Sequence, residues 1–345
     1  MFVRPKGGML AAVSMKTFPS QKTQVEVRLI TYRRPMLLDR ALKSLQNQTI
    51  SSWRAIVFDD SLQREGEEVV KHLNDDRIIY RPNAGNLGMV CNTSQAFSSS
   101  ALVEGSQYAC VLEDDNFYDP ELLAENLRVM EQYNASVLAR NYRIMEVGDD
   151  GCCALSPHQP MADLWGREAR EISYEERIKE AFFSFVLGNL GYFWKLNRGV
   201  DLSVSEERLH GPVSETSRSI SFKQPCWYEP IPLATFSRFL DKLQTPRGAN
   251  PVSKKLRRVS SVSEIQLTKR LVAIWTRELK KSMKEIFQAA ESRDEGPEAI
   301  QRLANAGCIP AYFKLERRKD WIVALKARCV SLLCHGDWDR LRRGA

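Results

Sequence analysis

Between residues 25 and 112 the hydrophobic period switches back and forth, and that alternation restricts the folds open to this chain. Val25 to Ile30, Trp53 to Phe58, Arg77 to Tyr80 and Tyr108 to Leu112 are short apolar, β-rich runs of strand length. Helical patterns lie between them. Met36 to Gln48 places Leu37, Leu38, Ala41, Leu42 and Leu45 on one face, and Glu65 to Leu73 follows the second run. The turn-rich link Asn83 to Gly88 then leads into a helix expected to run through Ala101. Strand and helix alternating in this way imply parallel strands with crossover helices, an α/β open sheet. Such sheets bind ligands beyond the C-terminal ends of their strands.

Polar clusters stand at those ends: Thr31-Tyr32, Asp59-Asp60-Ser61 and Glu113-Asp114-Asp115. Consecutive carboxylates after a buried strand raise one another's pKa. A divalent cation removes that cost, and carboxylates give Mg2+ or Mn2+ the hard oxygen ligands it prefers. An acidic helix start is the other reading, with Asp119 as N-cap and Pro120 opening a helix at Glu121. Capping accounts for Asp119 but not for the three acids before it. Asp59 or Asp60 suits a nucleobase N–H or a ribose hydroxyl, or closes an Asx turn. Asn86-Leu87-Gly88 lets backbone N–H groups approach a ligand, or is a turn. No GxGxxG opens a helix here and no GxxxxGK[ST] loop occurs.

These residues, in this order, resemble the GT-A-fold glycosyltransferases of family 2, which are inverting and use nucleotide sugars. The resemblance is carried by Leu29 to Pro35, Arg40 to Thr49, Val57 to Ser61, Asn86-Leu87-Gly88 with Asn92, and Glu113 to Asn116, across residues 25 to 130. It implies a Rossmann-like, mostly parallel sheet and a nucleoside-diphosphate sugar donor, a UDP-sugar above all. Thr31 and Tyr32 would flank the base, and Asp60 or Asp59 would hold the base or its ribose. Asp115 would be the main ligand of Mn2+ or Mg2+, with Asp114 near the ribose and diphosphate.

The acceptor half is expected over 131 to 244. Ala135 to Arg140 reads as a strand, Gly151 to Arg170 as a loop-rich insertion, and Glu175 to Leu187 as a helix. Gly188, Asn189 and Trp194 belong to a glycine-rich aromatic segment that resembles the family's acceptor strand, although the same residues are apolar enough to be core. An inverting transfer needs a base for the acceptor hydroxyl. Glu215 is the first candidate, Glu206 and Glu207 are alternatives that also read as a helix start, and His210 is an outsider. The acceptor is a saccharide, a lipid-linked carrier, a peptide or a small molecule.

The remaining boundaries are a loose leader (1 to 24), a linker (245 to 262) and a helical region (263 to 345), in which Ser263 to Ser292 forms one long amphipathic helix followed by Glu298 to Asn305 and Lys319 to Leu333. The net charge of +7 is concentrated in that last part. It suggests an anionic partner, such as a membrane surface met peripherally, or else solvated helix faces. A nucleic acid is not expected; the helical region is expected either to pack on the catalytic domain or to pair two chains. Eight cysteines without CxxC spacing and the lack of a membrane-length apolar run point to a reduced, cytoplasmic setting. A nucleotide-sugar-forming nucleotidyltransferase would need a glycine-rich signature after the first strand, which Thr31 to Pro35 lacks. A scaffold that has lost catalysis would not need Asp60, Asp114 and Asp115.

Overall fold

The computed structural model describes residues 24–148, 150–184, 188–204, 211–239, 254–315, 320 and 324. Its centre is a sheet built from β1 (Val25–Thr31), β2 (Trp53–Asp59), β3 (Ile78–Pro82) and β4 (Tyr108–Glu113), in the order β3-β2-β1-β4 with every pair parallel. The crossovers are α1 (Pro35–Gln46), α2 (Glu65–Leu73) and α3 (Met89–Ala96). All seven residues of β1 are buried, as expected of a strand covered on both faces. Helix α1 buries Leu38, Ala41, Leu42 and Leu45, the stripe anticipated from its 3.6-residue period.

Helix α3 is shorter than its sequence suggests, and the cause is a charge inside β1. Arg28 is fully buried beside Glu26, 2.7 Å away. Its guanidinium also collects the carbonyls of Ala96, Ser98 and Ser100 at 3.0, 2.5 and 2.6 Å. Those carbonyls satisfy a buried cation and are lost to a helical ladder, so the chain leaves the helix at Phe97.

After β4 come β5 (Phe117–Tyr118), α4 (Leu122–Gln132), β6 (Val137–Arg140), β7 (Arg143–Val147), β8 (Cys153–Leu155), α5 (Pro160–Trp165), β9 (Arg170–Ile172) and α6 (Tyr174–Ala181). Then follow β10 (Tyr192–Lys195), α7 (Gly211–Ser219), β11 (Cys226–Glu229) and β12 (Ala234–Phe239). Strand β10 inserts antiparallel between β4 and β6 and extends the main sheet to eight strands; β5-β12-β7-β8 form a second, smaller sheet. Asp119 does not cap α4. Its carboxylate pairs with Arg143 at 2.5 Å and the N-cap position falls on Glu121.

The linker expected over 245 to 262 gives way to helix from Lys254, the start of α8 (Lys254–Ala273). The single long helix expected over 263 to 292 is broken after Glu278. It resumes as α9 (Met283–Glu291), capped by the Ser282 hydroxyl, and α10 (Gly296–Asn305) and α11 (Ile309–Tyr312) follow. The leader and most of the expected Lys319 to Leu333 helix lie outside the described residues. This helical region packs on α6, α7 and the residues just past them: Leu267, Leu271, Ile274, Trp275 and Leu303 share a core with Ile178, Phe182, Phe183, Val213 and Ile220. Arg293 pairs with Glu180, and Arg302 donates to the carbonyls of Phe182 and Phe183 at 2.8 and 3.0 Å. Within the basic run 280 to 284, Lys281 is paired with Glu175 at 2.8 Å. Among the described residues no helix is long and apolar enough to cross a membrane.

Candidate active site

The parallel register sets Thr31 beside Asp59 and Ile30 beside Glu113, so the three polar clusters share one rim of the sheet. Strand β10 runs the opposite way, with Phe193 beside Cys110. Its entrance, Gly188-Asn189, therefore meets the exit of β4. One rim thus gathers the ends of β1, β2 and β4 and the start of β10.

The two aspartates after β2 differ in what holds them. Asp59 is fully buried and accepts from the backbone N–H of Ser61 and Gly66 at 2.9 and 3.0 Å, and from the Tyr80 hydroxyl at 2.8 Å. It closes the turn into α2 and presents no oxygen to a ligand, which corrects its expected part in binding a nucleotide. Asp60 accepts from Leu87 N–H (2.7 Å), Gly88 N–H (2.9 Å) and the Asn83 amide (2.9 Å). The N–H groups expected to meet a ligand are thus turned onto Asp60, and the Asn86 amide reaches the Asp60 carbonyl at 3.3 Å. Gly88 makes this turn at φ +78°, in the left-handed region a glycine enters without steric cost.

Asp114 and Asp115 are joined by an arginine. Asp114 Oδ2 accepts from the Thr31 hydroxyl at 2.7 Å, from Arg34 Nε at 3.0 Å and from Tyr32 N–H at 3.4 Å. Arg34 also forms an ion pair with Asp114 Oδ1 and holds Asp115 Oδ2 at 2.6 Å. The Asp115 carbonyl accepts from Arg40 at 2.5 Å. Burial pulls the Arg34 guanidinium down, but the two carboxylates outweigh it and hold it above its ordinary value. Burial pushes Asp114 up against the pull of Arg34. Thr31 therefore serves Asp114, while Tyr32 is only partly buried.

The third cluster was only half expected. Asn189 donates its amide to Glu113 at 3.3 Å and to Glu215, on α7, at 3.4 Å. Arg218, one turn further along α7 and fully buried, donates to the Asn189 oxygen at 3.2 Å. That bond fixes which end of the amide faces the carboxylates. Burial, then the nearby charge of Glu113, pushes Glu215 up to about 8, with Arg218 pulling it back. Burial, then Asp115, raises Glu113 as well. Gly188 is needed here for space, because a Cβ would overlap the Tyr142 hydroxyl. Trp194 is not at the site: it is fully buried in the core and stacks on Phe97 with centroids 5.4 Å apart. Glu206, Glu207 and His210 lie outside the described residues.

A divalent cation fits this rim in part. The carboxylate oxygens of Asp114 and Asp115 are the right donors, yet no group of three His, Cys, Asp or Glu side chains converges among the described residues. The fit is to an ion that takes most of its ligands from a bound diphosphate and water. Arg34, Arg40 and Arg218 had no role in the sequence reading. Arg34 lies inside the Thr31 to Pro35 motif, so its signal was present; Arg218 sits in a Ser/Thr-rich stretch without one.

Residues 27–165 match the family model described as Glycosyl transferase family 2. That span takes in Asp60, Asp114 and Asp115 and stops short of Asn189 and Glu215. The Escherichia coli (strain K12) protein WcaA, assigned to colanic acid biosynthesis as a glycosyl transferase, is 30% identical over 122 residues, covering 34% of this chain and 42% of its own length. CgeD of Bacillus subtilis (strain 168) is 26% identical over 137 residues, covering 37% of this chain and 31% of its own length. The chain thus spans less than half the length of these curated relatives. Among solved structures, S. aureus TarS 1-349 in complex with UDP-GlcNAc superposes with a TM-score of 0.54 at 14% identity, over 89% of this chain and 88% of that one. That likeness is one of fold, the GT-A sheet.

Proposed function

We propose, from the match of residues 27–165 to the Glycosyl transferase family 2 model and the likeness of fold to TarS, that this chain is an inverting glycosyltransferase that moves a sugar from a UDP-sugar to an acceptor hydroxyl. The observation that carries this reading is the meeting of Glu215 with Glu113 through Asn189, on the rim that also holds Asp60, Asp114 and Asp115. A UDP-sugar is supported by the UDP-GlcNAc complex of the TarS fragment.

Glu215 is the base. A carboxyl near 8 is well matched to take a proton close to neutral pH. The acceptor O–H gives its proton to Glu215 as the oxygen bonds to the sugar's anomeric carbon from the face opposite the diphosphate. The bond from that carbon to phosphate breaks, its electron pair leaves with UDP, and the configuration inverts. Asn189 orients the Glu215 carboxylate, and Arg218 orients Asn189. Asp60 shapes the Asn83 to Gly88 loop against the base and ribose. Asp115, with Asp114 beside it, would hold Mn2+ or Mg2+ together with the donor diphosphate, where such an ion neutralises the leaving group. Arg34 and Arg40 add positive charge on the same side.

The test is a melting-temperature screen against UDP, GDP, dTDP and CDP, each with and without Mn2+. A ligand of the native state raises the melting temperature by mass action. A rise with UDP that grows with Mn2+ is expected, and no rise with any of the four overturns the donor site.

A further inference from the structure

The guanidinium of Arg34 lies where the two rim aspartates face one another. It is 10% exposed. Its Nε and one terminal nitrogen address Asp114, and the other terminal nitrogen addresses Asp115. A planar fork matches two carboxylates in a way that a point charge does not. Asp114 is further committed to the Thr31 hydroxyl and Tyr32 N–H. Glu113 is no substitute, because its oxygens accept from Asn116 at 3.0 Å and Asn189 at 3.3 Å. On the far side of Asp115, Arg40 donates to its carbonyl. A divalent cation approaching the free rim meets like charge in contact with both of its ligands.

Arg34 is also free to move without unmaking a helix. It is the N-cap residue of α1, and its side chain makes no capping bond. A diphosphate offers a guanidinium the same paired oxygens that the two carboxylates offer.

We propose that Arg34 is the resident counter-cation of the Asp114–Asp115 pair, and that the pair accepts a divalent cation only after a nucleoside diphosphate has drawn this guanidinium onto itself. Arg34 is then a positioning residue that imposes an order, nucleotide first and ion second. The proposal rests on the donor-site reading above.

The probe is Mn2+ alone, its free concentration read by EPR in solutions of the full chain without nucleotide. Wild type takes up Mn2+ only weakly until UDP is added. Arg34→Gln and Arg34→Met, checked for native circular dichroism, bind Mn2+ without nucleotide about tenfold more tightly than wild type, within the usual range of coupling between two ligands. Arg34→Lys keeps the charge but not the fork that bridges both carboxylates, so its Mn2+ affinity falls between wild type and the neutral variants, a dependence on charge that a merely structural arginine would not show. Wild type that binds Mn2+ as tightly without UDP as with it overturns the proposal, and this arm needs no variant. Folded neutral variants that bind Mn2+ no better than wild type overturn it as well. Failure of UDP itself to bind wild type by calorimetry removes the donor-site reading instead, and the Mn2+-alone comparison still decides the role of Arg34.

Discussion

Glu215→Gln separates a strained carboxylate from an ordinary one through stability alone, before any substrate is known. In the unfolded chain this carboxyl ionises near 4.5; in the folded chain burial and Glu113 push it up to about 8. The native state therefore prefers the protonated form. The stability this group contributes is fully present below pH 4.5 and is lost as pH rises towards 8, after which the loss is constant. At about 1.4 kcal/mol per pH decade, the full excursion has an upper bound of about 5 kcal/mol. Glu215 keeps some solvent contact, which screens the effect towards about 2–3 kcal/mol. Glutamine does not titrate, so the variant should match wild type near pH 4.5 and gain on it by that amount at pH 8.5. Glu113 and Asp114 titrate in both proteins, and a neutral side chain at position 215 eases Glu113, which adds in the same direction. Urea unfolding at half-unit steps from pH 4.5 to 9 gives the difference directly. A difference flat to within about 0.5 kcal/mol across that range, the scale of an ordinary surface substitution, refutes the argument. The same variant should bind UDP like wild type and have lost sugar transfer.

Asp115→Asn removes one of the two carboxylates facing Arg34 and should lower transfer about a hundredfold, the usual scale for one electrostatic element of a site; rates in Mn2+ and in EDTA check this. Asp60→Ala frees three donors from the Asn83 to Gly88 loop, so UDP affinity by calorimetry should fall about tenfold and stability by about 2–3 kcal/mol. Gly188→Ala drives a methyl into the Tyr142 hydroxyl, and its loss of transfer should be partly recovered by adding Tyr142→Phe, a coupling that a double-mutant cycle measures. Arg302→Ala gives up two carbonyl contacts and should cost about 1–3 kcal/mol in urea unfolding while leaving UDP affinity unchanged.

The nucleotide half was legible because its strands are apolar runs between punctuated helices, and a parallel register carries every strand end to one rim. Whatever depended on side chains meeting across the fold was not legible. Asp59 and Asp60 are adjacent in sequence, but only the structure shows that Gly66 N–H and Tyr80 converge on one and the Leu87-Gly88 turn on the other. Trp194 sits in a segment equally suited to core or cleft, and the antiparallel insertion of β10 sends it onto Phe97. Arg28 shortens α3 through contacts nearly seventy residues away, a distance over which local propensity carries no information.

Helix α7 shows why the candidate base lies beyond the segment that matches the family 2 model. Its sequence, Gly-Pro-Val-Ser-Glu-Thr-Ser-Arg-Ser, is poor in strong helix formers, so tertiary contacts must hold it. Val213 and Ile220 anchor it to the core that Leu267, Leu271 and Trp275 supply from the helical region. Arg177 of α6, fully buried, donates to the carbonyls of Ser219, Phe222 and Gln224 at 3.0, 2.8 and 2.9 Å. Placing a cation on the carbonyls at and just past the helix end satisfies them and favours its dipole. Arg218 reaches from the opposite face to Asn189, with its guanidinium 4.6 Å above the Phe97 ring. Glu215 is thus fixed from three directions, and two of them, α6 and the helical region, are outside the nucleotide half. The helical region is thereby part of what positions Glu215 rather than an appendage to the sheet.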